Sequence, residues 1–500
     1  MNIEDIIKNI KIKKIYGIVP NDIKGITNDS RKVGKNFCFV AQVGYTVDGH
    51  DFIENSISKG ATLIIASEDK CYSYKNTCVV VVKEKEVNKV ASKISFLINN
   101  LSYDINTVAV TGTNGKTSIT TLIHNILREL GEKSSYMGTN GFCMNDEKPK
   151  YLGNTTPDVL ILHEKIREIK KNRINNFAFE ASSHALVLGR IYNVPIDIAI
   201  FTNLTHEHLD FHKTMENYAH DKSLLFSTLG NNLLEKKYGV LNLDDKYYGK
   251  MSKSLYHEEI TYSIKDKNAD FFAYNIKMVS ENNKFYTNFE LKTPEGDFVC
   301  KMPFIGDFMV SNMMASIIAV WLKGIDLNKI IKTIEVLPPL LGRMEIISGE
   351  LPIDIISDFA HTPDGYKKLL EATREIRKNR RTLLLTGMGG GRDLSKGPLI
   401  GNIISEADYV IITTDSPRDE DVNVLMNSIE KGMKHNNYEK VWFRTDAVKR
   451  IVEISRPGDV IILASKGRED YEILAGGKKV WHCDPEVCIQ EARKKYNKER

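Results

Sequence analysis

At 500 residues, 42% of them hydrophobic, the chain has room for two to four globular domains. A net charge of +4 is too small for this length to argue for a nucleic-acid partner, and no apolar run approaches the roughly 20 residues that cross a membrane. The seven cysteines are scattered without a C-x-x-C pair, which argues against a disulfide framework or a zinc site and suits a reducing cytoplasm; residues 1–5 lack a signal-peptide pattern.

In chain order, the first hundred residues read as a small α/β unit. Runs 37–41, 61–66 and 77–82 have the apolar, β-branched character of buried strands. Residues 51–59 and 87–99 read as helices. A polar break at 99–104 places a domain boundary after residue 103.

The stretch that follows carries the strongest signal. An apolar strand, 106–111, runs into Gly112-Thr113-Asn114-Gly115-Lys116-Thr117-Ser118, then into a helical pattern to Leu130 with Gly131 as its stop. Strand, glycine-rich loop and helix form a phosphate-binding arrangement. The glycines admit a close anion, the helix N-terminus adds partial positive charge, Lys116 reaches terminal phosphates and Thr117 can ligate Mg²⁺. A full G-x-x-x-x-G-K-[ST] motif would need glycine where Val110 stands. An ordinary strand-to-helix turn does not explain Gly-Lys-Thr at a helix start.

The middle third alternates strands and helices, arguing a parallel sheet whose ligands gather at the strands' carboxyl ends. Strand 177–179 leads to Glu180, Ser182, Ser183 and His184. Strand 196–201 leads to His206, His208 and Asp210, and Lys222 lies on the helix at 218–226. Each alone is explained by a surface histidine or a solvated lysine; together at one sheet edge they suit a Mg²⁺ and phosphate site. Residues 271–274 and 285–291 read as an antiparallel insertion with turns at Asn282-Asn283 and Pro294-Glu295-Gly296. The joint at 337–343 opens a second α/β unit with strands near 355–357, 383–385, 409–412 and 460–463. The basic stretch 493–500 reads as a solvated helix end.

Five motifs in order give a more specific reading: Thr111-Gly112-Thr113-Asn114-Gly115-Lys116-Thr117, Glu180-Ala181-Ser182-Ser183-His184, Thr202-Asn203-Leu204 with His208-Leu209-Asp210, Gly342-Arg343-Met344-Glu345, and Asp358-Phe359-Ala360-His361-Thr362-Pro363. The chain resembles the Mur ligase family, which builds the peptide stem of bacterial peptidoglycan. Asp29-Ser30-Arg31, Asn154-Thr155-Thr156-Pro157 and Asp415-Ser416-Pro417-Arg418 point to its tripeptide synthetase branch. The resemblance implies an α/β protein of three domains. A central P-loop parallel-sheet domain (104–336) would be flanked by a small N-terminal α/β domain for the UDP-sugar (1–103) and a C-terminal Rossmann-like domain for the amino acid (337–500).

It also implies residue roles. Ser30, Thr155, Thr156, Ser182 and Arg190 would hold UDP-N-acetylmuramoyl-L-alanyl-D-glutamate. Gly112, Thr113, Asn114, Gly115, Lys116, Thr117, Ser118, Asn312, Arg343 and Asp358 would bind ATP, with His361 in the same joint. Thr117, Glu180, His208 and a CO₂-carbamylated Lys222 would bind Mg²⁺, and Lys116, Lys222 and His208 would be catalytic. Arg392, Asp415, Ser416, Arg418, Ser465 and Glu469 would hold the incoming amino acid. ATP would phosphorylate the γ-carboxylate, and the amine would attack the acyl phosphate. A cytoplasmic monomer without a membrane span or nucleic-acid partner is expected.

Leu188, Met309, Ser416, Ser465 and Arg468 depart from the family's pattern, the last three in the amino-acid pocket. Arg418 offers a fork for a distal carboxylate, so the reading favours meso-diaminopimelate, with L-lysine or another amino acid as the alternative. A folylpolyglutamate synthetase would not account for the N-terminal unit. A GTPase would need an N-K-x-D guanine reader, which is absent after Ser118. An inactive paralogue serving as a binding module would not need Lys116, Thr117, Glu180, His208 and Lys222 together.

Overall fold

The computed structural model describes residues 3–497 apart from 9, 44–46, 102, 103, 282 and 283. The turn expected at Asn282-Asn283, residues 102 and 103 of the polar break, the start of the chain at Met1-Asn2 and its basic end at 498–500 lie outside the described residues. Three large sheets follow one another along the chain, with five, ten and six strands.

The first sheet takes Phe37–Ala41, Ala61–Ala66 and Cys78–Val82 in parallel, flanked by Gly25–Thr27 and an antiparallel Ile12–Tyr16. Its central strands are apolar on both faces because both are covered. Val87–Ile98 packs over one face, burying Val87, Val90, Ala91 and Ile94 at helical spacing.

In the second sheet the strand Asn106–Thr111 lies between Asn176–Glu180 and Ile198–Phe201, parallel to both. Val110 pairs with Glu180 and Thr111 with Phe201. Three strand ends, distant in sequence, therefore finish at one edge. The chain order reverses there, so the edge is a switch point of the kind that opens a binding crevice.

The antiparallel strands Phe271–Glu281, Lys284–Thr293 and Gly296–Met302 are not a separate insertion. Tyr262 and Ser263 pair in parallel with Phe271 and Phe272, which joins them to the same sheet. Their inward residues Phe271, Ala273, Phe289, Leu291 and Cys300 share one core with the helices Lys116–Glu129 and Asp307–Trp321. The second of these helices is apolar nearly all round, as a helix enclosed by core must be.

The third sheet stacks Asp354–Ser357, Val460–Leu463, Thr382–Met388 and Tyr409–Thr414 in parallel, with helices on both faces. A small hairpin, Tyr471–Ile473 with Lys479–Trp481, follows it. Beneath the hairpin Arg444 is completely buried. Its guanidinium donates to Asp484 (Nε to Oδ1 2.9 Å), to the carbonyls of Thr414 and Ala464 (3.0 and 2.8 Å) and to Ser465 Oγ (3.0 Å). His482 Nε2 contacts the same carboxylate at 2.5 Å. No helix of the described residues is long and apolar enough to cross a membrane.

Arg444→Ala strips the buried Asp484 of its main cation. Breaking one side of such a pair costs about 3–5 kcal/mol. Trp442 and Trp481 lie close by in the chain, so their fluorescence in urea should report a clearly earlier transition. An unchanged midpoint would show that Arg444 contributes nothing net.

Candidate active site

The phosphate loop is shaped by what its glycines leave out. A Cβ on Gly112 (φ 149°) would stand 1.8 Å from Thr202 Oγ1, and one on Gly115 (φ 91°) 2.5 Å from Asn312 Oδ1. Both neighbours can therefore press onto the loop backbone. Thr202 Oγ1 and Asn203 Nδ2 donate to the Asn114 carbonyl at 2.6 and 3.1 Å, and Asn203 Oδ1 accepts from Asn114 N at 3.0 Å. Gly115 caps the helix Lys116–Glu129 without any side-chain acceptor, leaving its first N–H groups to an anion.

Two lysines converge behind the loop. Lys116 Nζ donates to the carbonyls of Gly112 (3.0 Å) and Thr113 (2.8 Å), and Lys222 Nζ donates to the same Gly112 carbonyl at 2.8 Å. Lys222 is buried, with the Tyr218 ring 4.8 Å away. Burial, and then the Lys116 charge, push its pKa well below the ordinary lysine value. Lys116 is lowered mainly by burial, with Glu180 opposing the shift.

Glu180 is almost fully buried beside them. Its Oε1 accepts from Thr117 Oγ1 and from Thr139 N, both at 2.8 Å, and its Oε2 from Thr139 Oγ1 at 3.3 Å. Arg343 Nη2 donates to Thr117 Oγ1 at 3.0 Å, its guanidinium held 4.5 Å over the Phe359 ring. His208 stands in the left-handed region (φ 56°), edge-on to His184 at 5.0 Å. Burial, and then the His184 ring, lower His208 to about 2; burial, and then the His212 ring, lower His184 to about 4, which favours the neutral imidazole at both. His212 braces this corner, with Nδ1 at 2.6 Å from Asp221 and Nε2 at 2.9 Å from Ser183.

The loop sits between two cavities. One, about 640 Å³, lies toward Asn312, Asp364, Lys368 and Tyr262. The other, about 350 Å³, brings Lys116, Thr117, Glu180, His208, Thr155 and Ser182 together with Arg343, Arg392, Asp415, Ser416, Arg418, Ser465 and Glu469. Most residues expected from sequence thus meet in one place.

Some do not face it. Asp358 does not line either cavity; its carboxylate accepts from the backbone N–H of Met344 and Ala360, both at 2.8 Å, and so shapes the joint. Ser30 lies on the turn Ser30–Lys32 in the first sheet unit. Arg190 braces the Thr156 carbonyl at 3.1 Å, and Thr156 in turn donates to the Glu180 carbonyl at 2.7 Å. Arg468, expected to alter the amino-acid pocket, instead makes a forked pair with Glu345 at 2.9 and 2.6 Å.

At the far end, the fully buried ammonium of Lys466 donates to Asp415 Oδ1 (3.1 Å) and Glu469 Oε2 (3.4 Å). Burial works to raise Asp415, but Lys466 and Arg444 hold it below the usual value; burial and Asp415 keep Glu469 above its own. Arg418 (φ 53°) donates to the Gly390 carbonyl. Tyr151 meets Tyr471 at 5.6 Å, and Lys479 lies 4.8 and 4.0 Å from their rings.

Sequence reasoning passed over Glu207 and Lys396. They form a buried ion pair (3.4 Å; side chains 8% and 6% exposed) between the loop after Phe201 and the third-sheet unit. His206 and Asp210, singled out around it, are exposed. A polar residue between two histidines was the available signal.

Comparison with known proteins places the architecture. The sequence matches the Mur ligase middle domain over residues 110–320, the Mur ligase glutamate ligase domain over 342–467, and the Mur ligase catalytic domain over 22–95. It is 42% identical to a UDP-N-acetylmuramoyl-L-alanyl-D-glutamate–L-lysine ligase of Staphylococcus aureus (strain COL) and 41% to that of Staphylococcus haemolyticus (strain JCSC1435), over 99% of each chain. Among solved structures, a UDP-N-acetylmuramoyl-L-alanyl-D-glutamate–2,6-diaminopimelate ligase aligns over 99% of both chains with a TM-score of 0.68 at 28% identity. MurF ligase from Thermotoga maritima, solved with ADP, shares the fold (TM-score 0.63, 18% identity, 95% of this chain and 99% of that one). The chain belongs to the Mur ligase family. It is an ATP-dependent carboxylate–amine ligase of peptidoglycan synthesis.

Lys396→Met leaves the Glu207 carboxylate buried and unpaired, at a cost of about 3–5 kcal/mol to the arrangement that joins the two units. Small-angle scattering should show a larger radius of gyration. The double variant with Glu207→Gln should be less affected than the single one. Equal effects would mean that the pair is not coupled.

Proposed function

We propose that the enzyme joins L-lysine to the D-glutamyl γ-carboxylate of UDP-N-acetylmuramoyl-L-alanyl-D-glutamate. In this reading residues 1–103 hold the UDP end near Ser30, 104–336 bind ATP and the dipeptide, and 337–500 bind the amino acid. The protein acts as a cytoplasmic monomer. The observation that carries the reading is the second cavity, where the phosphate loop, a buried carboxylate and a charged amino-acid pocket face one another.

The nucleoside fits the larger cavity beside Asn312, with its phosphates over the uncapped helix start. The donor set Thr117, Glu180 and His208 suits Mg²⁺: two hard oxygen donors and an imidazole kept neutral by burial, with phosphate oxygens to complete the shell. When bound, Mg²⁺ supplies charge neutralisation of the triphosphate. Lys116, at the helix start, would neutralise charge that builds on the transferring phosphoryl group. Phosphorylation turns the γ-carboxylate into an acyl phosphate. Thr155 and Ser182 orient that carboxylate, with Thr156 bracing Ser182 from behind, and Arg392 holds the incoming α-carboxylate. The neutral amine attacks the carbonyl carbon, phosphate leaves, and the cleft contacts exclude the water that would hydrolyse the intermediate.

As an ammonium, Lys222 does not fit a cation site. A neutral amine that adds CO₂ becomes a carbamate, losing one proton and gaining a negative charge that does fit. Only the unprotonated amine reacts, and its burial beside Lys116 favours that form.

The sequence favoured a diamino acid with a distal carboxylate. The relatives named for L-lysine support the alternative. So does the pocket, where Arg418 is engaged on a backbone carbonyl and Asp415 and Glu469 offer negative charge to a distal ammonium.

Phosphate release from ATP with the UDP-dipeptide and a panel of amino acids tests the assignment. L-Lysine should give the highest kcat/KM. A preference for meso-diaminopimelate would overturn the choice of amino acid, and no release with any would overturn the reaction. Lys116→Ala should fold normally and lose on the order of 3–4 kcal/mol of transition-state stabilisation, by analogy with an oxyanion-hole donor. Near-normal turnover would remove Lys116 from the mechanism. Lys222→Ala should be inactive and partly restored by a small carboxylic acid. Wild-type protein in ¹³C-bicarbonate should show a carbamate resonance that the variant lacks; a wild-type spectrum without it rejects the modification.

A further inference from the structure

Nothing in the motifs points to Thr139, yet it touches the centre of the site. The strand Ser135–Gly138 runs parallel to Asn176–Glu180, with Tyr136 opposite Ala178 and Met137 opposite Phe179. The next step along brings Gly138 beside Glu180. A Cβ there would stand 2.0 Å from Glu180 Oε1, so the carboxylate can lie over the turn only because that position is glycine. The turn is tight, Gly138 pairing with Gly141, and its first residue is Thr139.

Thr139 then binds both carboxylate oxygens, its N–H to Oε1 at 2.8 Å and its hydroxyl to Oε2 at 3.3 Å. The same hydroxyl meets Thr155 Oγ1 at 3.1 Å. Beyond Glu180 the contacts continue through Thr117 to Arg343. One hydroxyl thus links the loop proposed to hold the dipeptide with the carboxylate proposed to hold the metal.

We propose that Thr139 is a positioning residue that couples the two subsites, so that binding of the UDP-dipeptide tightens metal binding and the reverse. The inference rests on the metal and substrate roles proposed above. A hydroxyl has one proton to give. With the dipeptide absent, that proton can turn to either Glu180 or Thr155. A substrate group that donates to Thr155 leaves Thr155 to donate to Thr139, which commits the Thr139 proton to Glu180 and fixes the carboxylate. By linkage the coupling is reciprocal.

The test uses the full chain with Mn²⁺ and a non-hydrolysable ATP analogue, with and without UDP-N-acetylmuramoyl-L-alanyl-D-glutamate. Free Mn²⁺ is read by electron paramagnetic resonance. In the wild type the UDP-dipeptide should lower the Mn²⁺ Kd severalfold. Thr139→Val keeps the shape and the backbone N–H bond but loses the hydroxyl. It should weaken Mn²⁺ binding about tenfold, the low end for loss of a group supporting a ligand, and abolish the dipeptide effect. Thr139→Ser should restore both. Glu180→Gln separates the layers. If it leaves Mn²⁺ binding unchanged, the metal-site reading fails. If it weakens binding while Thr139→Val keeps the wild-type dipeptide effect, the coupling role alone is overturned.

Discussion

Two lysine amino groups, Lys116 and Lys222, donate to one carbonyl oxygen, that of Gly112, and much of the site depends on that crowding. Like charges so close in a buried place are unstable together. The protein cannot separate them, because the register of three parallel strands sets where the loop lies and the helix Met215–Ser227 holds Lys222 against it. Relief must come from chemistry: one lysine is neutral or modified, or an anion occupies the loop. A polyphosphate on the loop and the carbamate proposed for Lys222 would be two answers to the same electrostatic problem. Thr202 adds the steric half, since its hydroxyl fills the space that a side chain on Gly112 would need.

The second dependence is the joint between the sheet units. Asp358 spends both carboxylate oxygens on the backbone N–H groups of Met344 and Ala360. That holds Met344 in the left-handed region (φ 48°) and turns Arg343 toward Thr117. Asp358 therefore reaches the phosphate loop through Arg343 and Thr117 without lining either cavity. Asn114 with Asp364, Glu207 with Lys396 and Tyr151 with Tyr471 add three further contacts across the cleft. Each draws one partner from a loop of the second-sheet unit, so the contacts across the cleft depend on loop geometry.

Where the sequence was legible, the signal was local. Glycines flanking a basic residue, an apolar strand before them and helical spacing behind them marked the phosphate loop. Glu180 and His208 were visible because each follows such a strand. What could not be read crosses long distances. Glu207 and Lys396 are 189 residues apart, and nothing near either announces a buried pair. Thr139 lies in an unremarkable turn, and only strand register brings it to Glu180. The strands at 271–274 and 285–291 read as an antiparallel insertion, but local alternation says nothing about which neighbour a strand joins; the two-residue pairing of Tyr262 and Ser263 with Phe271 and Phe272 decides that. Arg468 was misjudged for a similar reason. Its neighbours Ser465 and Glu469 line the second cavity, but Arg468 turns away to Glu345, 123 residues back.

The same limit bears on substrate choice. An arginine after Asp415-Ser416-Pro417 reads as a carboxylate fork while only the sequence is in view, because its five donors are assumed to be available. In the fold one nitrogen is held by the Gly390 carbonyl and the backbone around Arg418 is pinned by Ile473. The neighbouring Asp415 and Glu469 share a single lysine between them, and Glu469 is kept protonated more readily than usual by burial and by Asp415. A distal ammonium entering here would add to the cations, Lys466 foremost, that already favour the ionised carboxylates. A distal carboxylate would find Arg418 with one nitrogen already held by the Gly390 carbonyl. Two acidic side chains around Lys466, beside an arginine already engaged on a carbonyl, therefore suit an amino acid whose far end is positive.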